Sequence, residues 1–205
     1  MYVFNRIRTA NAVDLPAARL LAPKIAAAAT KVTGRPITAF EAQFGHPGGI
    51  SWSTVVTDMA DLAEMSAKLA SDPAIQALVT QGLPLWGLAE DHLTFIVASS
   101  ISSSENSFYA ATSALPAPGK IADAIAYGIK VQEYVTKAGF AGMFGSSVFG
   151  PFGEVGWLLG ADSSGGLDAF QDFQHTDAGL ASLIGEAGPL FVPGSSINRL
   201  VTKLV

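Results

Sequence analysis

The feature that most constrains this chain is a repeat. The stretch from Gly34 to Asp91 has its plan repeated 105 positions later, from Gly139 to Ser196. Gly34 meets Gly139, Phe44-Gly45 meets Phe149-Gly150, and Gly48 meets Gly153. Trp52 meets Trp157, Leu62 meets Leu167, Asp72 meets Asp177, and Pro84-Leu85 meets Pro189-Leu190. No gap is needed. Scattered glycine matches would carry little weight, but Gly, Trp, Asp and Pro agreeing in one register indicate an internal duplication. The chain is therefore expected to fold as two copies of one unit.

At 205 residues the chain is long enough for a large domain or two small ones. Apolar residues make up 49% and charged residues only 14%, which is little charge for a water-facing domain. Two cores plus a surface buried between halves or subunits would account for this, and so would an apolar ligand cavity. The first is favoured, because a fused pair of repeats already has an interface to bury. Such a surface also leaves room for a homo-oligomer.

The net charge is -5 and no lysine/arginine cluster exists, which argues against a nucleic-acid partner. There is no cysteine, so disulfides and thiolate metal sites are excluded. Met1 to Arg8 alternates apolar with polar or basic residues and lacks the apolar run of a signal peptide. No segment approaches the roughly 18 apolar residues that span a bilayer. No membrane partner is expected, and a cytoplasmic location is.

Residues 2–8 read as a strand from their β-branched and aromatic content. Asp14 is placed to cap a helix running to about Val32, with Pro16 in its first turn. Ala18, Leu21, Ala22, Ile25, Ala29 and Val32 keep helical spacing and should face a sheet. Pro23 is an awkward interior residue whose counterpart at the 105 offset is Gly128. Ile37–Gly45 and Ile50–Thr57 form a hairpin about the His46-Pro47-Gly48-Gly49 turn. A helix follows from near Asp58, then a short one from Asp72-Pro73, then a strand from His92 to Ala98.

The order strand, helix, strand, strand, helix, strand is the ferredoxin-like unit. A serine-rich linker spans 100–106, and the unit recurs over 107–205. Its first helix should present Ile121, Ile125, Ile129 and Gln132 along one face. The expected domains are thus 1–99 and 107–205.

Two such units in tandem resemble the dimeric α+β barrel superfamily. The Gly-rich hairpin with Trp52, the acidic helix entry after it and the Asp72-Pro73 step are similar to those of NIPSNAP-type and antibiotic-biosynthesis-monooxygenase-type barrels. The resemblance covers nearly the whole chain and rests on plan and sparse landmarks. It implies an α+β fold in which two ferredoxin-like βαββαβ repeats close one intrachain barrel with helices outside. It further implies a ligand cavity, in a superfamily that includes cofactor-free oxygenases, haem enzymes, lactone isomerases and proteins without activity. No catalytic motif of any one of these is present, and fold alone does not license a reaction.

The two repeats differ chemically. At the 105 offset Arg6 meets Ala111, Glu41 meets Ser146, Gln43 meets Val148 and His92 meets Ile197. The strands of the first repeat also carry Asn5, Arg8, Ser51, Ser53 and Thr94. One interpretation is a polar pocket in the first half. His92 would transfer a proton and Arg6 would anchor an anion, as the catalytic pair. Glu41 and Gln43, two apart on one strand face, would orient the ligand, and Trp52 and Trp157 would line the cavity. The other interpretation is a set of local ion pairs on a wet strand face, with both tryptophans as core anchors.

His46 falls in a turn and His175 near a helix C-terminus, where imidazolium complements the dipole. Neither has flanking chemistry for haem, no two histidines are spaced for a shared metal, and no cofactor is expected. The functional expectation is a small-molecule-binding barrel acting on an apolar organic molecule, oxygenase- or isomerase-like. The alternative is a non-catalytic assembly module with the barrel as an oligomerisation scaffold.

Overall fold

The structure, a computed structural model, describes residues 1–101 and 106–205. Of the serine-rich linker expected at 100–106, residues 102–105 lie outside the described residues. The first repeat runs β1 (Tyr2–Thr9), α1 (Leu15–Thr33), β2 (Thr38–Phe44), β3 (Gly49–Val56), α2 (Met59–Ser71), α3 (Pro73–Gly82) and β4 (Glu90–Ser99). The second runs β5 (Phe108–Ala114), α4 (Ile121–Lys137), β6 (Gly142–Phe149), β7 (Val155–Ala161), α5 (Ser164–Thr176), α6 (Ala178–Glu186), a 3₁₀ turn (Gly188–Leu190) and β8 (Ile197–Lys203).

The strands hydrogen-bond in the order β1-β3-β2-β8-β5-β7-β6-β4, which closes on itself as an antiparallel barrel. This is the tandem ferredoxin-like α+β barrel that the family resemblance implied. By compactness the chain divides into two units, Met1–Thr94 with Thr202–Val205, and Phe95–Val201. The divisions fall inside β4 and β8 rather than at residues 99–107.

Helix starts follow their caps. The Asp58 and Asp72 carboxylates accept from the N–H groups of Asp61 and of Ala74 and Ile75, and Asp177 accepts from Leu180. Asp14 sits at the N-cap of α1 but makes no capping hydrogen bond. Gly34 ends α1 with φ of 73°, the left-handed conformation that glycine adopts without steric cost.

In the first unit, α1 lays Ala18, Leu21, Ala22 and Ala26 on Ala39, Ile50 and Trp52, with Trp86 closing the cluster. Trp52 Nε1 donates to the Ala22 carbonyl at 3.0 Å, and its ring meets Trp86 edge-on at 5.3 Å. A Cβ at Gly82 would lie 2.3 Å from the Trp86 ring, so only glycine lets this indole pack. A second cluster joins Val56, Met65 and Leu93 with Tyr2 and Phe4.

The second unit repeats the device with other side chains. Trp157 Nε1 donates to the Gly128 carbonyl at 3.3 Å, and the ring meets Tyr127, Phe144 and Phe191. A Cβ on Gly128 would sit 2.0 Å from Phe144, so glycine here admits a large ring where Ala22 lies over a small Ala39. Helix α4 turns Ala124, Tyr127, Gly128, Gln132 and Val135 inward and leaves Ile121 47% exposed, correcting the expected isoleucine face. Close approach to the bulky Phe144 selects glycine at position 128 of this inner side.

The pairings also correct the repeat register. Arg6 stands opposite Trp52, but Thr112 stands opposite Trp157. The offset is therefore 106 in the first strand and at the tryptophan-accepting carbonyl, and 105 in the hairpin. Thr112 replaces Arg6, and Gly128 replaces Ala22 rather than Pro23.

Candidate functional site: the helix-free face of the first unit

The sheet of the first unit has two chemically different faces. Trp52 bonds to α1, so Trp52 and its cross-strand neighbours Arg6 and Ala39 lie on the helix side, as do Glu41 and Ile50 two residues along. The alternate residues form the other face.

On the helix side the polar candidates are taken up locally. Arg6 donates to both Asp91 oxygens at 2.7 Å, and its guanidinium lies 5.9 Å from the Phe4 ring centre. The hydrogen bonds to Asp91 raise the Arg6 pKa, while burial and then the Arg6 charge lower that of Arg8. Arg8 donates to the Gly87 carbonyl at 2.8 Å. Glu41 is buried and accepts from Arg19 Nε at 2.8 Å. Gln43 is exposed and donates to Thr202 at 2.9 Å. Trp52 and Trp157 point into the helix-facing cores of their own units.

His92 does not join Arg6. Its neighbours Asp91 and Leu93 bond to Arg6 and pack on Val56 and Met65, so strand alternation turns His92 to the opposite face. Its side chain is 26% exposed, with Nε2 3.9 Å from the Glu90 carboxylate. The other histidines are elsewhere. His46 shares a 2.8 Å hydrogen bond with Thr9 and its ring packs against Gly49, which makes it a structural part of the turn. His175 is exposed in the last turn of α5.

The helix-free face carries a polar row that crosses three strands. Thr38 and Asn5 both stand opposite Ser53. Oδ1 of Asn5 is buried and has no hydrogen-bond partner among the described residues. Burying such an acceptor unpaired costs about 1–3 kcal/mol, so it calls for a donor. His92 lies on this same face of β4, the strand beside β1. The row supplies two hydroxyls and an amide, with an imidazole on the next strand. Asn5 and Ser53 held no assigned role in the sequence. Once Trp52 is taken as a core anchor, period-two counting puts Ser53 on the opposite face.

Among the described residues no group of three or more His, Asp or Glu side chains is arranged to hold a metal ion. No described helix is long and apolar enough to cross a membrane.

No protein-family model matches the chain, and no curated protein matches it in sequence. Solved structures do match in fold. A candidate monooxygenase from Fusobacterium nucleatum superposes with a TM-score of 0.74 at 8% identity, covering 100% of this chain and 93% of that one. A candidate monooxygenase from Lactobacillus acidophilus gives 0.71 at 9% identity over 100% and 94%. An anthrone oxidase-like protein gives 0.69 at 13% identity over 100% and 91%. At these identities the likeness establishes the fold, the tandem α+β barrel, and leaves the chemistry to the residues.

Proposed function

We propose that this protein binds a small, largely apolar organic molecule on the helix-free face of its first unit. The observation that carries this is the buried Asn5 Oδ1 without a donor, in a row with Ser53 and Thr38. A ligand O–H or N–H would satisfy it. His92 on the same face is suited to take a proton from that ligand and return it. The chemistry would be proton-transfer chemistry of the oxygenase or isomerase type, which also occurs among barrels of this fold. Arg6, Glu41 and Gln43 take a supporting role here, because each is already held by a neighbour.

The test is native mass spectrometry of untagged protein, wild type against Asn5→Leu and His92→Ala. A co-purifying organic mass is expected in the wild type, lost in Asn5→Leu and retained in His92→Ala. A clean apo mass for the wild type, together with equal stability of Asn5→Leu and wild type, would sink the proposal.

A second reading draws on the local pairing of Arg6, Glu41 and Gln43 and on the core positions of both tryptophans. In it the barrel is a non-catalytic assembly scaffold. It predicts an oligomeric mass with no small molecule attached.

A further inference from the structure

The β6–β7 hairpin of the second unit ends in a tip with apolar side chains on every side. Val148 is 47% exposed, Phe149 56% and Phe152 99%. Phe144 faces the helices with Trp157, so alternation along β6 puts Val148 on that face of the hairpin and Phe149 on the other. Phe152 stands in the turn between β6 and β7. Ile121, at the start of α4, continues the patch on the helix side, its Cδ1 3.9 Å from a Cβ built on Gly153. The stretch from Gly142 to Gly153 contains no charged side chain.

The first unit shows what this hairpin replaces. At the 105 offset Val148 meets Gln43, Pro151 meets His46 and Phe152 meets Pro47. Gln43 and His46 tie their hairpin down through hydrogen bonds to Thr202 and Thr9. The second unit has exchanged both polar groups for apolar ones and set a fully exposed phenyl ring at the turn. The four side chains expose roughly 450 Å² of apolar surface, within the range that marks a contact site.

Shape and charge select the partner. A second copy, or any folded protein, covers one face of a hairpin, whereas Val148 and Phe149 are exposed on opposite faces. The patch also reaches only about half of the ~800 Å² that each partner of a stable protein interface buries. A fluid apolar phase surrounds both faces and the turn at once. From Val148 to the turn is about two strand residues, or about 7 Å, which matches the ~5–10 Å over which interfacial segments enter a bilayer. The backbone suits this. Pro151 has no N–H to leave unpaired, its carbonyl accepts from the Glu154 N–H at 3.3 Å, and the Ser147 N–H donates to the Glu154 carbonyl at 2.8 Å. The hairpin has no lysine or arginine, Lys120 before Ile121 is paired with Asp123 at 2.9 Å, and the chain's net charge is -5. Nothing there attracts an anionic head group, so the surface that fits is a neutral one.

We propose that the β6–β7 hairpin is a membrane-surface anchor that inserts Val148, Phe149 and Phe152 into the outer layer of an electrically neutral, phosphatidylcholine-type bilayer. The expected absence of a membrane partner rested on the lack of a spanning segment, and this contact spans nothing. The anchor uses no residue of the face that carries Asn5 and His92, and it stands or falls apart from that site.

The test is flotation of the intact chain with phosphatidylcholine vesicles and, separately, with vesicles of equal parts phosphatidylcholine and phosphatidylglycerol. The wild type should float reversibly with phosphatidylcholine, with a partition constant on the order of that of a single acyl chain, ~10⁴ M⁻¹. The anionic vesicles should bind it no more tightly. Phe152→Ser should weaken binding about tenfold or more, the scale of one buried phenyl side chain, and Phe149→Ser with Phe152→Ser should abolish it. Both variants should keep the wild-type melting temperature, since the two rings are exposed. Phe152→Leu keeps an apolar side chain at the turn and should bind like the wild type. So should Met59→Ser, which removes a comparably exposed apolar side chain from α2. Wild-type protein that fails to float with phosphatidylcholine overturns the proposal. So does undiminished flotation of the double variant, an equal loss in Met59→Ser, or tighter binding to the anionic vesicles. A vesicle-free dimer in sedimentation velocity that Phe152→Ser converts to monomer would assign the hairpin to a second copy and overturn it as well. Should the double variant not fold, Phe152→Ser against Phe152→Leu decides.

Discussion

The two units solve one architectural problem with opposite chemistry. The first ties its elements together with ion pairs: Arg6 to Asp91, Arg19 to Glu41, and Arg35 to Asp61. At the corresponding places the second unit has Thr112 donating to Asn198 at 2.8 Å, Ile125 and Ser146 in place of Arg19 and Glu41, and Phe140 and Gly166 in place of Arg35 and Asp61. Phe140 packs on Phe170 and Phe173, and Tyr134 stacks on Phe173 while donating to Asp177. Both members of each pair have changed together. Removing one partner of a desolvated pair strands a charge, whereas replacing both by groups of suitable size is close to neutral. The second copy therefore does without these three ion pairs and strands no charge.

The same coupling governs size, and there it can be broken most sharply. Ala22 over Ala39 in the first unit corresponds to Gly128 under Phe144 in the second. Phe144→Ala should cost about 3–5 kcal/mol, because a fully buried ring is lost and the glycine cannot fill the space. Gly128→Ala should cost about 1–3 kcal/mol by overpacking against that ring. The double variant restores the alanine pair of the first unit and should cost less than the sum. Urea denaturation of all three checks this. Simple additivity would show that the two positions are not coupled.

The ion pairs give a smaller effect. Arg19→Ala leaves the buried Glu41 carboxylate without its partner and should destabilise by about 1–2 kcal/mol, below the fully buried range because Arg19 is half exposed. The double variant Arg19→Ile with Glu41→Ser, which copies the second unit, should lie nearer the wild type than the single. The same denaturation curves decide it, and a double variant worse than the single would break the comparison.

The smallest effect should appear only in acid. Hydrogen bonds from Arg35, then the Thr57 N–H, hold the Asp61 carboxyl well below the usual carboxylate range. A carboxyl depressed in the folded state stabilises fully above its unfolded pKa of about 3.9, and that contribution fades as pH falls through this value toward the folded pKa. Thermal melts between neutral pH and pH 3 should show wild-type stability falling more steeply below about pH 4 than that of Asp61→Asn. Parallel curves for the two proteins would rule out Asp61 as a source of this acid sensitivity.

The site was only partly legible before the fold was known. Arg6 and His92 stand on neighbouring strands, β1 and β4. Strand adjacency does not decide face, and one position of alternation separates Asp91, which holds Arg6, from His92 on the other side. Glu41 and Gln43 do share a face, but that face looks at α1, where Arg19 waits for Glu41. Asn5 carried no local signal, since its distinction is a buried oxygen without a partner.

Sequence alone determined the duplication and the order of elements, because those follow from short-range periodicity, capping and the repetition of landmark residues; the barrel plan came from the family resemblance that those landmarks carry. The faces of the strands, the one-residue slip that makes Thr112 the counterpart of Arg6, and the pairing of Gly128 with Phe144 were decided only in the tertiary structure. Each depends on contact between segments far apart in the chain. Such contacts are set by packing volume and by burial of polar groups, and neither is written in a local pattern.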